Sequence, residues 1–279
     1  MKNNNETFLS NLTLNQDNIW SYSFKIKDQK LEAKLRDEKA TEKITNYLHI
    51  IAENHSIPVM DYEVKHFLSE VKQGGLILDA GGCWGWHWRN IQKVRPDVKI
   101  VILDFVRSNL LIARSVLKNK INKNIFLVHG DATALIWEKE TFSNYWTVQA
   151  LQHIPNFELA LKEAYRVLER GGSFVNYSRN IQPLQKMLCK ILGKDYVIEG
   201  WPRDSYYLAR GSDSQEKIIA HIFKSKVVSK YSEILFQPDL KLFTGKENNY
   251  FGQLDKYLSG STKLHRLLAR QRSFHTVKK

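Results

Sequence analysis

Three short aliphatic runs, each closed by an aspartate, constrain what this chain can fold into. They are Leu76-Ile77-Leu78 before Asp79, Ile100-Val101-Ile102-Leu103 before Asp104, and Ile125-Phe126-Leu127-Val128 shortly before Asp131. Runs of this length bounded by polar residues read as buried strands. Between the second and third, Leu110, Leu111, Ala113 and Val116 have helical spacing over residues 108–117. Residues 142–148 read as a fourth strand, 156–168 as a strongly periodic helix, and 173–177 as a fifth strand after Gly171-Gly172. Strands alternating with helices form βαβ units, which build a largely parallel sheet covered on both faces. In such a sheet ligands gather at the carboxyl ends of the strands. Asp79, Asp104, Asp131 and Gln149 all fall there and are expected to converge on one crevice.

The first of these units carries the densest signal. Leu78-Asp79-Ala80-Gly81-Gly82-Cys83-Trp84-Gly85 leaves the strand through a glycine-rich turn into a helix-like stretch at 86–93. Glycine lets backbone approach a ligand closely, and a helix N-terminus offers free N–H groups to an anion. Cys83 interrupts the glycine alternation, and its Cβ is expected to narrow the approach and disfavour a positive φ. Trp84, Trp86 and Trp88 crowd the same turn with His87, and Trp86 and Trp88 are expected to seal the sheet against N-terminal helices. One indole facing a ligand is the alternative.

The flanks are less regular. Residues 1–20 read as loosely ordered, residues 29–53 as a long amphipathic helix, and Asp61 as the cap of a second helix after Ile57-Pro58. Beyond Arg179, helices are expected over 183–192, 213–223 and 254–268, with strands at 206–209, 226–236 and 273–277. The organisation is an N-terminal helical extension (1–73), a core (74–180) and a C-terminal part (181–279) that completes the sheet and builds a pocket. No apolar run approaches the ~20 residues of a membrane span. The polar start and two cysteines without metal-ligand spacing suggest a reduced, cytoplasmic setting. A net charge of +13 admits a nucleic-acid partner. Its lysines are spread along the chain, however, which fits a general composition bias as well as a binding face.

In order and spacing these landmarks resemble the class I S-adenosylmethionine-dependent methyltransferases, nearest the type 11 branch. The matching stretches are 78–85, Asp104, Gly130-Asp131-Ala132, residues 142–154 and Glu163 to Gly172. The resemblance implies a Rossmann-like, doubly wound, mostly parallel seven-stranded sheet with helices on both faces, and S-adenosylmethionine as cofactor. It implies cofactor contacts at Asp79, Gly81, Gly82, Cys83, Gly85, Asp104, Phe105, Asp131, Ala132 and Gln149, with no metal. Asp104 would accept the ribose hydroxyls, and Asp131 and Ala132 would meet the adenine. His153, just past the fourth strand, is the candidate general base; bracing the turn before Pro155 is its other reading.

The expected reaction is methyl transfer to an O, N or C atom of a small molecule. An RNA methyltransferase and a non-catalytic binding protein on the same fold are the alternatives. A nicotinamide-dependent oxidoreductase is disfavoured, because Cys83 and Trp86 break the Gly-x-Gly-x-x-Gly pattern. Trp201, Tyr206, Tyr207, Tyr177 and Arg179 are candidates for lining the acceptor pocket.

Overall fold

The computed structural model describes residues 7–25, 34, 46–193, 211–237 and 250–279. Its centre is a nine-stranded sheet in the order β1-β2-β5-β4-β3-β6-β7-β9-β8. The strands are β1 (Thr13–Leu14), β2 (Trp20–Ser21), β3 (Leu76–Ala80), β4 (Lys99–Asp104), β5 (Ile125–His129), β6 (Phe142–Val148), β7 (Leu168–Arg179), β8 (Val228–Ser232) and β9 (Gln271–Val277). From β5 through β7 every neighbouring pair is parallel, and the order reverses at β3, which pairs with both β4 and β6. β9 runs antiparallel to both β7 and β8. The seven strands β3–β9 are the sheet expected from the sequence; β1 and β2 extend its other edge.

Alternation along the strands sorts two cores. Ile77, Ile100, Ile102 and Trp146 face one side, with residues of α1 (Tyr47–Asn54), α2 (Ile57–Glu70) and α4 (Arg107–Leu117). Leu78, Val101, Leu103 and Tyr145 face the other, under α5 (Phe157–Val167) and α7 (Ser212–Phe223). Because both faces are covered, β3 and β4 read as continuous apolar runs rather than alternating ones. The remaining helices are α3 (Ile91–Val94), α6 (Pro183–Ile191), α8 (Tyr250–Leu258) and α9 (Lys263–Leu268).

Several boundaries differ from the sequence reading, each for a local reason. Residues 7–21 are structured rather than loose: Arg114 donates to the Asp17 carboxylate at 2.8 Å and Trp137 Nε1 donates to the Phe8 carbonyl at 2.7 Å. Pro58 lies in the first turn of α2, as its missing N–H permits, so the second helix begins ahead of the expected cap at Asp61. Asp61 therefore lies inside α2, where it pairs with Arg89 at 2.5 Å. The stretch after the glycine turn is a 3₁₀ turn, Trp86–Trp88, followed by the short α3. The expected helix over 254–268 is two helices, α8 and α9. The strand expected at 226–236 shortens to β8. Most of the helix expected over 29–53 and all of the strand at 206–209 lie outside the described residues.

One buried ion pair braces the C-terminal strands, and its carboxylate also holds the start of α2. Glu233, just past β8, accepts from Arg270 Nη1 at 2.7 Å and from the Ser56 N–H at 3.0 Å. Both side chains are almost fully buried, with 0% and 3% exposure. A buried pair adds little net stability, but removing one partner strands the other charge. Glu233→Gln is expected to destabilise the fold by about 3–5 kcal/mol, lowering the melting temperature by roughly 10 °C. A thermal melt of the variant checks this.

Candidate active site

Register explains why three carboxylates meet. β3, β4 and β5 are adjacent and parallel, so Asp79, Asp104 and Asp131 leave the same edge of the sheet. Asp79 lies opposite Trp146 on β6 and is 1% exposed. Its Oδ2 accepts from Trp88 Nε1 at 2.6 Å. That N–H only partly compensates the desolvation of a buried carboxylate. Burial, with the Asp104 charge alongside, pushes the Asp79 pKa up to about 7.

The glycine turn folds back over β4, with the Gly81 and Gly82 N–H groups both donating to the Leu103 carbonyl at 2.7 and 3.3 Å. Gly81 has φ +73, and a Cβ there would overlap the Ala150 side chain. At Gly82 a Cβ would meet the Asp79 carboxyl group, so the displaced glycine makes room for Asp79. Cys83 adopts φ +49, against the expectation from its side chain. The reason is a hydrogen bond: its N–H donates to Asp104 Oδ2 at 3.0 Å, which holds the turn in the left-handed region. Gly85 is also left-handed, and a Cβ there would press on Ile102 and Leu117. Trp86 and Trp88 are buried in the core on the α2 side, which is the sealing role expected of them.

Asp104 links the turn to the next helix. Besides the Cys83 N–H it takes the Val106 N–H at 2.9 Å and Asn109 Nδ2 at 3.3 Å on Oδ1. The carboxylate is thus fixed in orientation at the end of β4. Phe105 follows it, half-buried, with its carbonyl 3.1 Å from His129 Nε2. Asp131 caps its own turn through the Thr133 N–H at 2.8 Å, with Ala132 buried beside it. At the end of β6, Gln149 has φ +50, and its N–H donates to the Tyr177 carbonyl at 2.8 Å. Its side-chain Nε2 is buried without a hydrogen-bond partner. His153 closes the 3₁₀ turn after β6 and is 7% exposed. The neighbouring Gln152 Oε1 accepts from Ser178 Oγ at 2.5 Å and from the Arg179 N–H at 3.0 Å, joining this turn to the end of β7.

Three residues reach the crevice that the sequence reading passed over or placed elsewhere. Tyr22 lies over Gly130, where any side chain would collide with its ring. Its hydroxyl receives the Asp131 N–H at 3.0 Å and donates to the Asp131 carbonyl at 3.1 Å. Glu63, a full turn into α2, accepts the Tyr177 hydroxyl at 2.8 Å in a buried pair. Burial and that carboxylate push the Tyr177 pKa well above its usual value, so the phenol stays protonated. His87 is buried between Trp86 and Trp146. Nothing in the local pattern announces Tyr22 or Glu63, since both arrive from elements distant in sequence. Among the candidate pocket residues, Tyr177 and Arg179 are at the end of β7, whereas Trp201, Tyr206 and Tyr207 lie outside the described residues. Among the described residues no group of three or more His, Cys, Asp or Glu could hold a metal ion.

Residues 59–196 match the family model of the ubiE/COQ5 methyltransferase family. An S-adenosylmethionine-dependent methyltransferase of Thermotoga maritima superposes with a TM-score of 0.56 over 90% of this chain and 100% of that one, at 14% identity. The core has the fold of the class I S-adenosylmethionine-dependent methyltransferases. Among curated relatives, the demethylmenaquinone methyltransferase of Lactococcus lactis is 37% identical over 100 residues, 36% of this chain and 40% of that protein. The demethylmenaquinone methyltransferase of Listeria welshimeri is 30% identical over 158 residues, 50% of this chain and 65% of that protein. The chain thus spans less than two thirds of the curated relatives it matches. No helix among the described residues is long and apolar enough to cross a membrane.

The Asp79 pKa makes a stability prediction. Between about pH 4 and 7 the folded state keeps a proton on Asp79 that the unfolded chain has released. Folding stability therefore falls as pH rises through that window and levels off above it. Asp79→Asn, which still offers an oxygen to Trp88, is expected to flatten this slope and melt higher than the parent at pH 8. Thermal melts from pH 5 to 8 read the difference.

Proposed function

We propose that this chain is an S-adenosylmethionine-dependent methyltransferase whose acceptor is a small hydroquinone-type molecule, methylated on a ring carbon. The cofactor assignment rests above all on Asp79, a buried carboxylate whose charge its surroundings under-compensate. The methionine end of the cofactor carries an ammonium, which supplies the missing partner. Gly81, Gly82, Cys83 and Gly85 form the turn beside it, with three of the four in left-handed backbone that keeps the approach open. Asp104, oriented by Cys83 and Val106, is assigned to the ribose hydroxyls. The Oδ2 of Asp131, with the Ala132 N–H and the face of Phe105, is assigned to the adenine. Gln149 Nε2, buried without a partner, adds a donor at the end of β6.

S-adenosylmethionine supplies an electrophilic methyl group when bound, so the protein's contribution is mainly alignment. The names of the curated relatives, demethylmenaquinone methyltransferases, support a quinone-type acceptor. A phenolic proton must leave for such a ring carbon to become nucleophilic. His153, held on the turn between β6 and α5, is assigned as the base that takes it.

Three measurements test this reading. Calorimetry is expected to show S-adenosylmethionine binding that weakens about tenfold from pH 8 to pH 6, as Asp79 gains its proton; the Asp79→Asn variant should bind more weakly and lose that dependence. Asp104→Ala should weaken binding at least tenfold. His153→Ala should lower turnover of a demethylmenaquinol analogue by ~10²-fold with cofactor affinity nearly intact. Cofactor binding that ignores both aspartates would overturn the assignment.

A further inference from the structure

His87, just past the glycine turn, has no polar contact for its imidazole ring. It is 8% exposed, and both ring nitrogens are buried without a hydrogen-bond partner. A neutral imidazole has one donor and one acceptor to satisfy, and leaving both unmet in a dry interior is costly. The Trp146 indole N–H has the same status, buried and unpartnered, and the two rings meet edge to face with centroids 6.0 Å apart at 69°. Two adjacent groups with three unmatched polar atoms are a pattern that packing alone does not select.

Their position suggests what they meet. Trp146 is the residue of β6 paired with Asp79, two residues before the end of its strand. Its ring contacts Tyr177 at 4.8 Å and Phe67 at 4.8 Å, and Tyr177 is in turn bonded to Glu63. His87 follows the glycine turn directly. The two residues therefore lie between the proposed cofactor site and the α2 side of the sheet, among aromatic rings.

The chemistry of the unmatched atoms narrows the ligand. Burial, with His55 and Arg89 alongside, pushes the His87 pKa well below its ordinary value, so the ring is uncharged. Arg89 is engaged by Asp61. An anionic ligand would find no free cation in this pair. A hydroxyl group on an aromatic ring fits it: the oxygen accepts from the indole N–H, its proton goes to one imidazole nitrogen, and the ring packs on the indoles.

We propose that His87 and Trp146 form the polar end of the acceptor pocket and hold an aromatic hydroxyl group of the methyl acceptor. This rests on the methyltransferase reading above and extends it to the residues that select the acceptor. His87 is a binding residue here, and proton removal is assigned elsewhere.

The test uses 1-naphthol as the probe, with binding followed by quenching of tryptophan fluorescence in the presence of S-adenosylhomocysteine, and cofactor affinity measured separately. His87→Phe keeps the shape of a flat ring and removes both polar atoms. It is expected to raise the melting temperature, leave cofactor affinity unchanged, and weaken 1-naphthol binding at least tenfold. His87→Gln, which restores a donor and an acceptor, should recover part of the loss, and it provides the comparison if the Phe variant does not fold. Equal 1-naphthol affinity in parent and variants would overturn the assignment of His87, because a buried water or plain packing then accounts for the ring; the methyltransferase reading would stand. Cofactor binding without any 1-naphthol binding in the parent would also overturn it. Failure of the parent to bind the cofactor at all would instead count against the proposed function.

Discussion

The Asp79 carboxyl group lies beneath the glycine turn with the Trp88 indole as its donor, and much of the crevice is arranged to keep it there. A carboxylate at the end of a central strand is dry because helices cover both faces of the sheet. The chain then returns over the strand through a 3₁₀ turn rather than an α-helix, which brings Trp88 back within reach of a residue nine positions earlier. Gly82 is small so that the carboxyl group has room. Cys83 is left-handed so that the turn can also fasten to Asp104. Two aspartates on neighbouring strands are thereby held close enough for each charge to affect the other. Burial and the neighbouring charge together favour a proton on Asp79, whereas three N–H donors hold Asp104 in place.

The core was legible in the sequence because its strands are buried on both sides and end in recognisable residues. Asp79, Asp104 and Asp131 sit where the aliphatic runs place them, and the periodic stretch from 156 forms α5, with Asn156 as its cap through the Leu159 N–H. The additional edge was not legible, since β1 and β2 have two residues each and their order comes from distant partners such as Arg114 and Trp137. The backbone of Cys83 was misjudged because side-chain preference is local, whereas the bond from its N–H to Asp104 spans 21 residues. Glu63 carries no local signal, and only the fold sets it against Tyr177. The same limit applies to His87, whose significance lies in what does not surround it.

The excess positive charge also takes on structure. Many of the arginines that a charge count leaves undifferentiated have carboxylate partners: Arg89 with Asp61, Arg95 with Asp97, Arg114 with Asp17, Arg166 with Glu163, Arg272 with Asp213 and Glu216. Several of these pairs fasten loops to helices. Arg166 also donates to the Leu135 and Trp137 carbonyls, so one guanidinium holds most of the loop that follows Asp131. Pairs at the surface contribute little each. Their planar, multivalent donors instead fix geometry, which a crevice built from loop ends requires.

The place of β9 in the sheet carries a consequence for biosynthesis. It lies between β7 and β8, although it is made after both. Until its residues leave the ribosome, β7 is an exposed edge twelve residues long and β8 has no strand beside it. Unpaired edges of that length invite association with other nascent chains. The parallel half of the sheet, from β5 to β7, has all its strands in hand about ninety residues earlier. Translation therefore passes through an interval in which half of the molecule has settled and its seam is still open. Any slowing of synthesis over that interval lengthens the time the seam is exposed.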